Sequence, residues 1–175
     1  EIAVQKVQNN LSRAEGELEI QKLTSEQALK VAKNALQNAQ LDLNRTINST
    51  IKIYVKGLKG SIANSEKDVA LAEKNLNAYT ALAKLGFVSD VEVLKQEASR
   101  DKARHAIEMF KADREAYDLY DKVSLLSLKQ LAVDEAIVNI EKTIVKNEAN
   151  LRDANSTITT TQKTLELEIE KLDDN

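Results

Sequence analysis

Apolar residues recur three and four apart along most of this chain, which is the spacing of a helix that buries one stripe. In the first stretch the line runs Val4, Val7, Leu11, Ala14, Leu18, Gln21, Ser25, Ala28, Ala32, Ala35 and Ala39, a heptad seam that becomes Ala-rich. A second line, Leu29, Leu36 and Leu43, repeats every seven residues beside it. It widens the stripe and predicts a further lateral packing neighbour. Residues 44–60 break the pattern. Asn44, Asn48, Ser49 and Thr50 favour caps and turns, residues 50–56 alternate apolar and polar as a short strand would, and Gly57 and Gly60 follow. A loop, a kink, a distorted turn or a short strand all satisfy this stretch.

Helical spacing resumes near Ser61 with Ile62, Ser65, Val69, Ala72, Leu76, Tyr79 and Ala83. Beyond residue 90 it continues as Val91, Leu94 and Ala98, joined by Ala103, Ile107, Phe110 and Tyr117 on a neighbouring line. A weaker break falls near 117–127. The last stretch is the most regular: Val133, Ile137, Ile140, Ile144, Asn147, Leu151, Ala154, Ile158, Thr161, Leu165, Glu168 and Leu172. Asn147 and Thr161 are polar seam positions of the kind that specify register. The run over residues 155–161 is poor helix material and is expected to be the softest part of this arm.

Between the two halves lies Leu85-Gly86-Phe87-Val88-Ser89-Asp90. A Gly after a helical run ends it, because Gly takes the left-handed conformation at little cost. Ser89 or Asp90 then supplies an N-cap, with the Glu92 carboxylate in the first turn beyond. Helix, Gly, cap and helix make a hairpin tip. Folding the chain there sets residues whose numbers sum to roughly 175 opposite each other, so the two breaks face each other and so do the two regular seams. The expected fold is therefore all-α: a long antiparallel coiled-coil helical hairpin, interrupted partway along each arm. It forms a single domain over 1–175, with arm one at 1–85, the tip at 85–90 and arm two at 91–175.

Composition supports this and narrows function. The chain has no Pro, Cys or Trp and only 4 Gly, so nothing covalent breaks its helices. Few aromatic residues argue against a large globular core. The net charge is -3, with Lys and Glu intermixed, which excludes the basic footprint of a nucleic-acid binder. No apolar run approaches the length of a membrane span. Glu1 starts directly in helical pattern, as expected of an excised or mature segment.

No catalytic, cofactor or metal constellation stands out. His105 is the single histidine and reads as an ordinary seam or surface residue. Acidic residues are spaced as solvated helix faces paired with Lys at i,i+4, and no Gly-rich phosphate loop is present. The tyrosines at 117 and 120 read as packing at the joint. Leu85, Phe87 and Val88 either staple the tip turn shut or remain exposed for a partner.

The stretches Ala39-Gln40-Leu41-Asp42-Leu43 and Ala72-Glu73-Lys74-Asn75-Leu76, and above all Leu85-Gly86-Phe87-Val88-Ser89 followed by Glu92 and Leu94, resemble the α-helical hairpin of bacterial periplasmic adaptors, the membrane fusion proteins of the HlyD type. The family's efflux-pump tip motif is an Arg, six residues, a Leu, three residues and a Ser. Leu85 and Ser89 keep its second spacing, and Ala78 stands in the Arg position.

The resemblance implies a periplasmic hairpin that bridges an inner-membrane transporter to a TolC-type outer-membrane channel, for efflux or type I secretion. The full-length protein would be anchored to the inner membrane. Flanking lipoyl-like and β-barrel domains, outside this chain, would reach the transporter. Copies would form a homo-oligomer, with docking through Leu85, Gly86, Phe87, Val88 and Ser89 and lateral packing through Leu29, Leu36 and Leu43. Two other readings fit the same residues. One is a cytoplasmic coiled-coil scaffold or spectrin-like bundle folded at the breaks. The other is the helical portion of an outer-membrane channel, which also needs strands of about ten alternating residues.

Overall fold

The computed structural model of the chain describes residues 2–173 and is an all-α helical hairpin. Helix α1 (Ile2–Arg45) passes through a π turn at Thr46–Thr50 into α2 (Ile51–Lys84), and α3 (Asp90–Ala116) passes through a second π turn at Tyr117–Asp121 into α4 (Lys122–Asp173). These make two long helices of 83 and 84 residues, and no strand occurs among the described residues. The chain packs as two units, residues 1–41 with 131–175, and residues 42–130.

In the first unit α1 lies against α4. Ala14, Ser25, Ala32 and Val133 are buried, and Ala32, at 3% exposure, is the most deeply buried residue described. The Asn147 side-chain amide donates to the Ser25 carbonyl across the seam at 2.8 Å, and the Gln21 amide reaches the Ser25 hydroxyl at 3.4 Å. An Asn at a seam position thus bonds one level of the opposite helix, which is how such residues specify register. A groove of about 240 Å³ beside this pair is lined by Leu29, Ile144 and Leu151 among others.

In the second unit α2 packs on α3. Ile51, Ser65, Ala72, Leu76 and Tyr117 are buried, with Ala103, Ile107 and Phe110 half-buried across from them. Ion pairs at 2.6 Å, Arg104 to Glu73 and Lys129 to Asp42, tie the arms at the surface. In all these cross-arm pairs the two residue numbers sum to within a few of 175, the register that a fold about residues 85–90 requires. Exposed ion pairs of this kind contribute little stability; their information is positional.

The interruption at 44–60 is much narrower than its sequence suggests. Only Thr46–Thr50 departs from α-helix, and residues 51–60 are helical. The alternation at 50–56 has no strand to pair with, whereas a helix turns Ile51, Val55, Leu58 and Ile62 to one side, and burial decides between the two periods. The run at 155–161 is also helical. There the Thr157, Thr159, Thr160 and Thr161 hydroxyls each donate to the carbonyl four residues earlier, so their polar groups are satisfied within the helix.

Two assignments of phase are corrected. Ala28 and Ala35 are exposed, while Leu29, Leu36 and Leu43 are half-buried. The three leucines thus lie nearer the opposite arm than Ala28 and Ala35 do. Larger side chains one position away win the contact because they remove more apolar area from water. Val91, Leu94 and Ala98 are exposed, and Val93, Gln96, Glu97 and Arg100 turn toward the opposite arm instead.

Gly57 and Gly60 sit inside α2 with open space where a Cβ would stand. Replacing both with Ala is expected to raise stability by about 1 kcal/mol per site, read as a higher midpoint in thermal unfolding by circular dichroism. An unchanged or lower midpoint would mean that the glycines are needed for close packing.

Candidate functional site at the hairpin tip

The tip is built by two interlocking caps. Gly86 has φ +78°, the one positive φ among the described residues. The Gly86 N–H donates to the Ala83 carbonyl at 2.9 Å and the Phe87 N–H to the Leu82 carbonyl at 3.0 Å. This is a Schellman arrangement, which satisfies carbonyls that the end of α2 would otherwise leave free. Ser89, not Asp90, caps α3. Its hydroxyl accepts from the Glu92 N–H at 3.4 Å, and the Glu92 carboxylate accepts from the Ser89 N–H at 3.1 Å. This reciprocal capping box places Asp90 and Glu92 in the first turn of α3, where the helix dipole favours negative charge.

Five residues, 85–89, therefore reverse the chain with little backbone freedom, and two of the apolar side chains they carry, Leu85 and Phe87, face outward. Phe87 is 75% exposed and Leu85 70%; Val88 is half-buried. The stapling contact that often accompanies a Schellman turn leaves most of Phe87 uncovered. Val91 and Leu94, on the outward side of α3, extend the exposed apolar surface away from Phe87, and Leu82 adds to it from α2. The three-four spacing predicts Val91 and Leu94 as seam residues. The signal that places them outside is the parallel three-four line Val93, Gln96, Arg100 and Ala103, whose polar members conceal it.

The stretches that carry the family resemblance take structural places. Asp42 and Glu73 make the cross-arm ion pairs, and Ala72 and Leu76 are buried in the α2–α3 seam. Ala78, where the tip motif has Arg, is exposed.

A second cluster surrounds the π turns. Tyr117 stacks on Tyr54 with ring centroids 4.3 Å apart and planes 39° from parallel. Burial, followed by Tyr54, Asp118 and Asp121, raises the Tyr117 phenol above its ordinary value of 10.0. Arg114 donates to Asp118 at 2.6 Å, and Lys122 lies 3.7 Å from its other oxygen. The hydrogen bond from Arg114 is the main cause holding the Asp118 carboxyl below its usual range. A lowered carboxylate pKa contributes stability above the ordinary value that is lost as pH falls through the lowered one.

His105 is exposed, and no group of three or more His, Asp or Glu among the described residues is placed to hold a metal ion. No described helix is long and apolar enough to cross a membrane. Comparison with protein-family models, curated proteins and solved structures finds no match.

Proposed function

We propose that this hairpin is the periplasmic arm of an adaptor that joins an inner-membrane transporter to a TolC-type outer-membrane channel, in efflux or type I secretion. The observation that carries the reading is the tip. A doubly capped turn holds Leu85, Phe87, Val91 and Leu94 mostly in solvent. Exposed apolar surface rimmed by polar residues marks a place where a partner binds. The transporter would be reached through domains outside this chain, in a full-length protein anchored to the inner membrane.

Lateral association of copies belongs to the same proposal, through the half-buried Leu29, Leu36 and Leu43 or through a more exposed surface. Ile20, Leu23, Val31 and Leu41 are exposed on the side of α1 away from α4, and Leu131, Val138 and Val145 on the side of α4 away from α1. By the register of Ser25 with Asn147, Leu41 is level with Leu131, Leu23 with Ala149, and Val31 falls between Val138 and Val145. A copy standing alongside at equal height would lay α4 against α1 with these residues in contact.

In the full-length protein, Phe87→Asp with Val88→Asp is expected to abolish export while protein level and helicity stay normal. Phe87 is 75% exposed, where substitution usually changes stability by less than about 0.5 kcal/mol; Val88 is half-buried, so circular dichroism of the double variant is the control for folding. Undiminished export by the double variant, expressed at the normal level, would sink the docking role of the tip.

A further inference from the structure

The two π turns share a geometry that neither needs by itself. In the first, the Ile51 N–H donates to the Thr46 carbonyl; in the second, the Lys122 N–H donates to the Tyr117 carbonyl. Each bond spans five residues in place of the α-helical four. The seam repeats the same step. It runs Leu36, Ala39, Leu43, Thr46, then jumps to Ile51, Val55 and Leu58. On the other arm it runs Phe110, Arg114, Tyr117, then jumps to Lys122, Leu126, Lys129 and Val133, with Asp118 half-buried beside Tyr117. Every other step in these lines is compatible with three-four spacing. Each arm thus holds one extra residue, and each π turn absorbs it so that the inward faces on both sides stay in phase.

The two insertions are also adjacent in space. Asp42 with Lys129 and Tyr54 with Tyr117 give one register on either side of them, which sets Thr50 level with Asp121. The two π turns therefore meet end to end across the seam, the last residue of each level with the last of the other. Both arms are held there. Thr46 is 4% exposed, and its hydroxyl donates to the Asp42 carbonyl at 2.8 Å. Tyr117 is stacked, and Asp118 is bridged by Arg114 and Lys122.

A π turn widens a helix and bends its axis. Two helices packed along a seam keep contact through a bend only when both bend at the same place. We infer that the two π turns are one device, a matched joint: a bend and a point of compliance shared by both arms, in which each turn is tolerated because the other stands beside it. Hydrogen bonds spanning five residues are poorer than α-helical ones and open more readily, so the joint is where this hairpin flexes. This rests on the chain's own geometry and does not depend on the tip or its partner.

The test is a cycle of single-residue deletions, because removing one residue from a π turn restores α-helix without changing the phase of the seam. Asn48 and Leu119, both exposed, are deleted separately and together, and unfolding is followed by circular dichroism. Each single deletion leaves one bent arm against one straight arm and is expected to lower the midpoint by about 3 °C or more. The double deletion is expected to return to the parent midpoint or exceed it. Rescue of a non-folding single variant by the second deletion would carry the same meaning. Additive losses, or single deletions that leave the midpoint unchanged or raised, would overturn the inference. In native-state hydrogen exchange, amides of residues 46–54 and 117–125 are expected to exchange faster than their α-helical flanks in the parent and at the rate of those flanks in the double variant. Equal protection in the parent would remove the compliance.

Discussion

Tyr117→Ala is expected to cost about 3 kcal/mol of stability, near the lower end for truncating a large aromatic in a core. Tyr117 is 7% exposed, the largest buried side chain named in either seam, and it alone has a ring partner. The loss combines the apolar area, the ring contact with Tyr54, and a void that the helical backbones on either side cannot close. The lower end applies because Tyr54 is partly open to solvent, so water relieves some of the void. Thermal unfolding would show a fall of roughly 6–12 °C. Hydrogen exchange should place the lost protection within residues 42–130, the unit that contains both rings. A loss below about 1 kcal/mol would mean that the stack is incidental.

Tyr117→Phe separates the ring from its hydroxyl and gives the pH arm of this prediction. Because the folded phenol ionises above its ordinary value, mainly through burial, the native state holds its proton more tightly than the unfolded chain does. The associated stability is complete below pH 10.0 and disappears as pH rises through the raised value. The parent should lose stability in that alkaline window more steeply than Tyr117→Phe. Identical slopes would show that the phenol ionises alike in both states.

The second large effect concerns association. Val138→Glu with Val145→Glu is expected to weaken self-association of the full-length protein at least tenfold, measured by sedimentation, while circular dichroism stays unchanged. Both side chains are exposed on the outer side of α4, so charge there costs little in the monomer. Against an apolar stripe of a second copy, two uncompensated carboxylates lose the burial energy and add desolvation, several kcal/mol together, and about 1.4 kcal/mol is a factor of ten in Kd. Unaltered sedimentation would rule out this face as the lateral contact. Substitution of Leu29 or Leu36, by contrast, would report on folding as well as association, because those leucines are half-buried in the monomer.

How far the sequence was legible varies along the chain. The turn at the tip was legible, with Gly86 as the stop and Ser89 or Asp90 as the cap, since such residues act through local backbone geometry that no distant residue modifies; the structure chose Ser89. The last arm was legible because its seam is carried mostly by Ile and Leu, with polar residues at Asn147, Thr161 and Glu168, and that line is inward from Val133 to Glu168 with Ile137 and Ile144 at its margin. Reading failed where two apolar lines run one or two residues apart. Ala28 and Leu29 keep equally good helical spacing, as do Val91 and Val93 two residues apart, and periodicity identifies a face only up to the rotation that separates such lines.

The sequence by itself determined that the chain is helical, that it reverses at residues 85–89, and that residues summing to about 175 meet. These follow from propensity, caps and spacing, which are local. Tertiary structure alone decided which of two adjacent stripes is buried, because that depends on the area and fit offered by the opposite arm. It also decided that residues 44–60 hold one π turn rather than a loop or strand. An extra residue in a helix can be expelled as a loop or absorbed as a wider turn. Here it is absorbed, because the seam on both sides must stay in phase and a matching turn lies beside it.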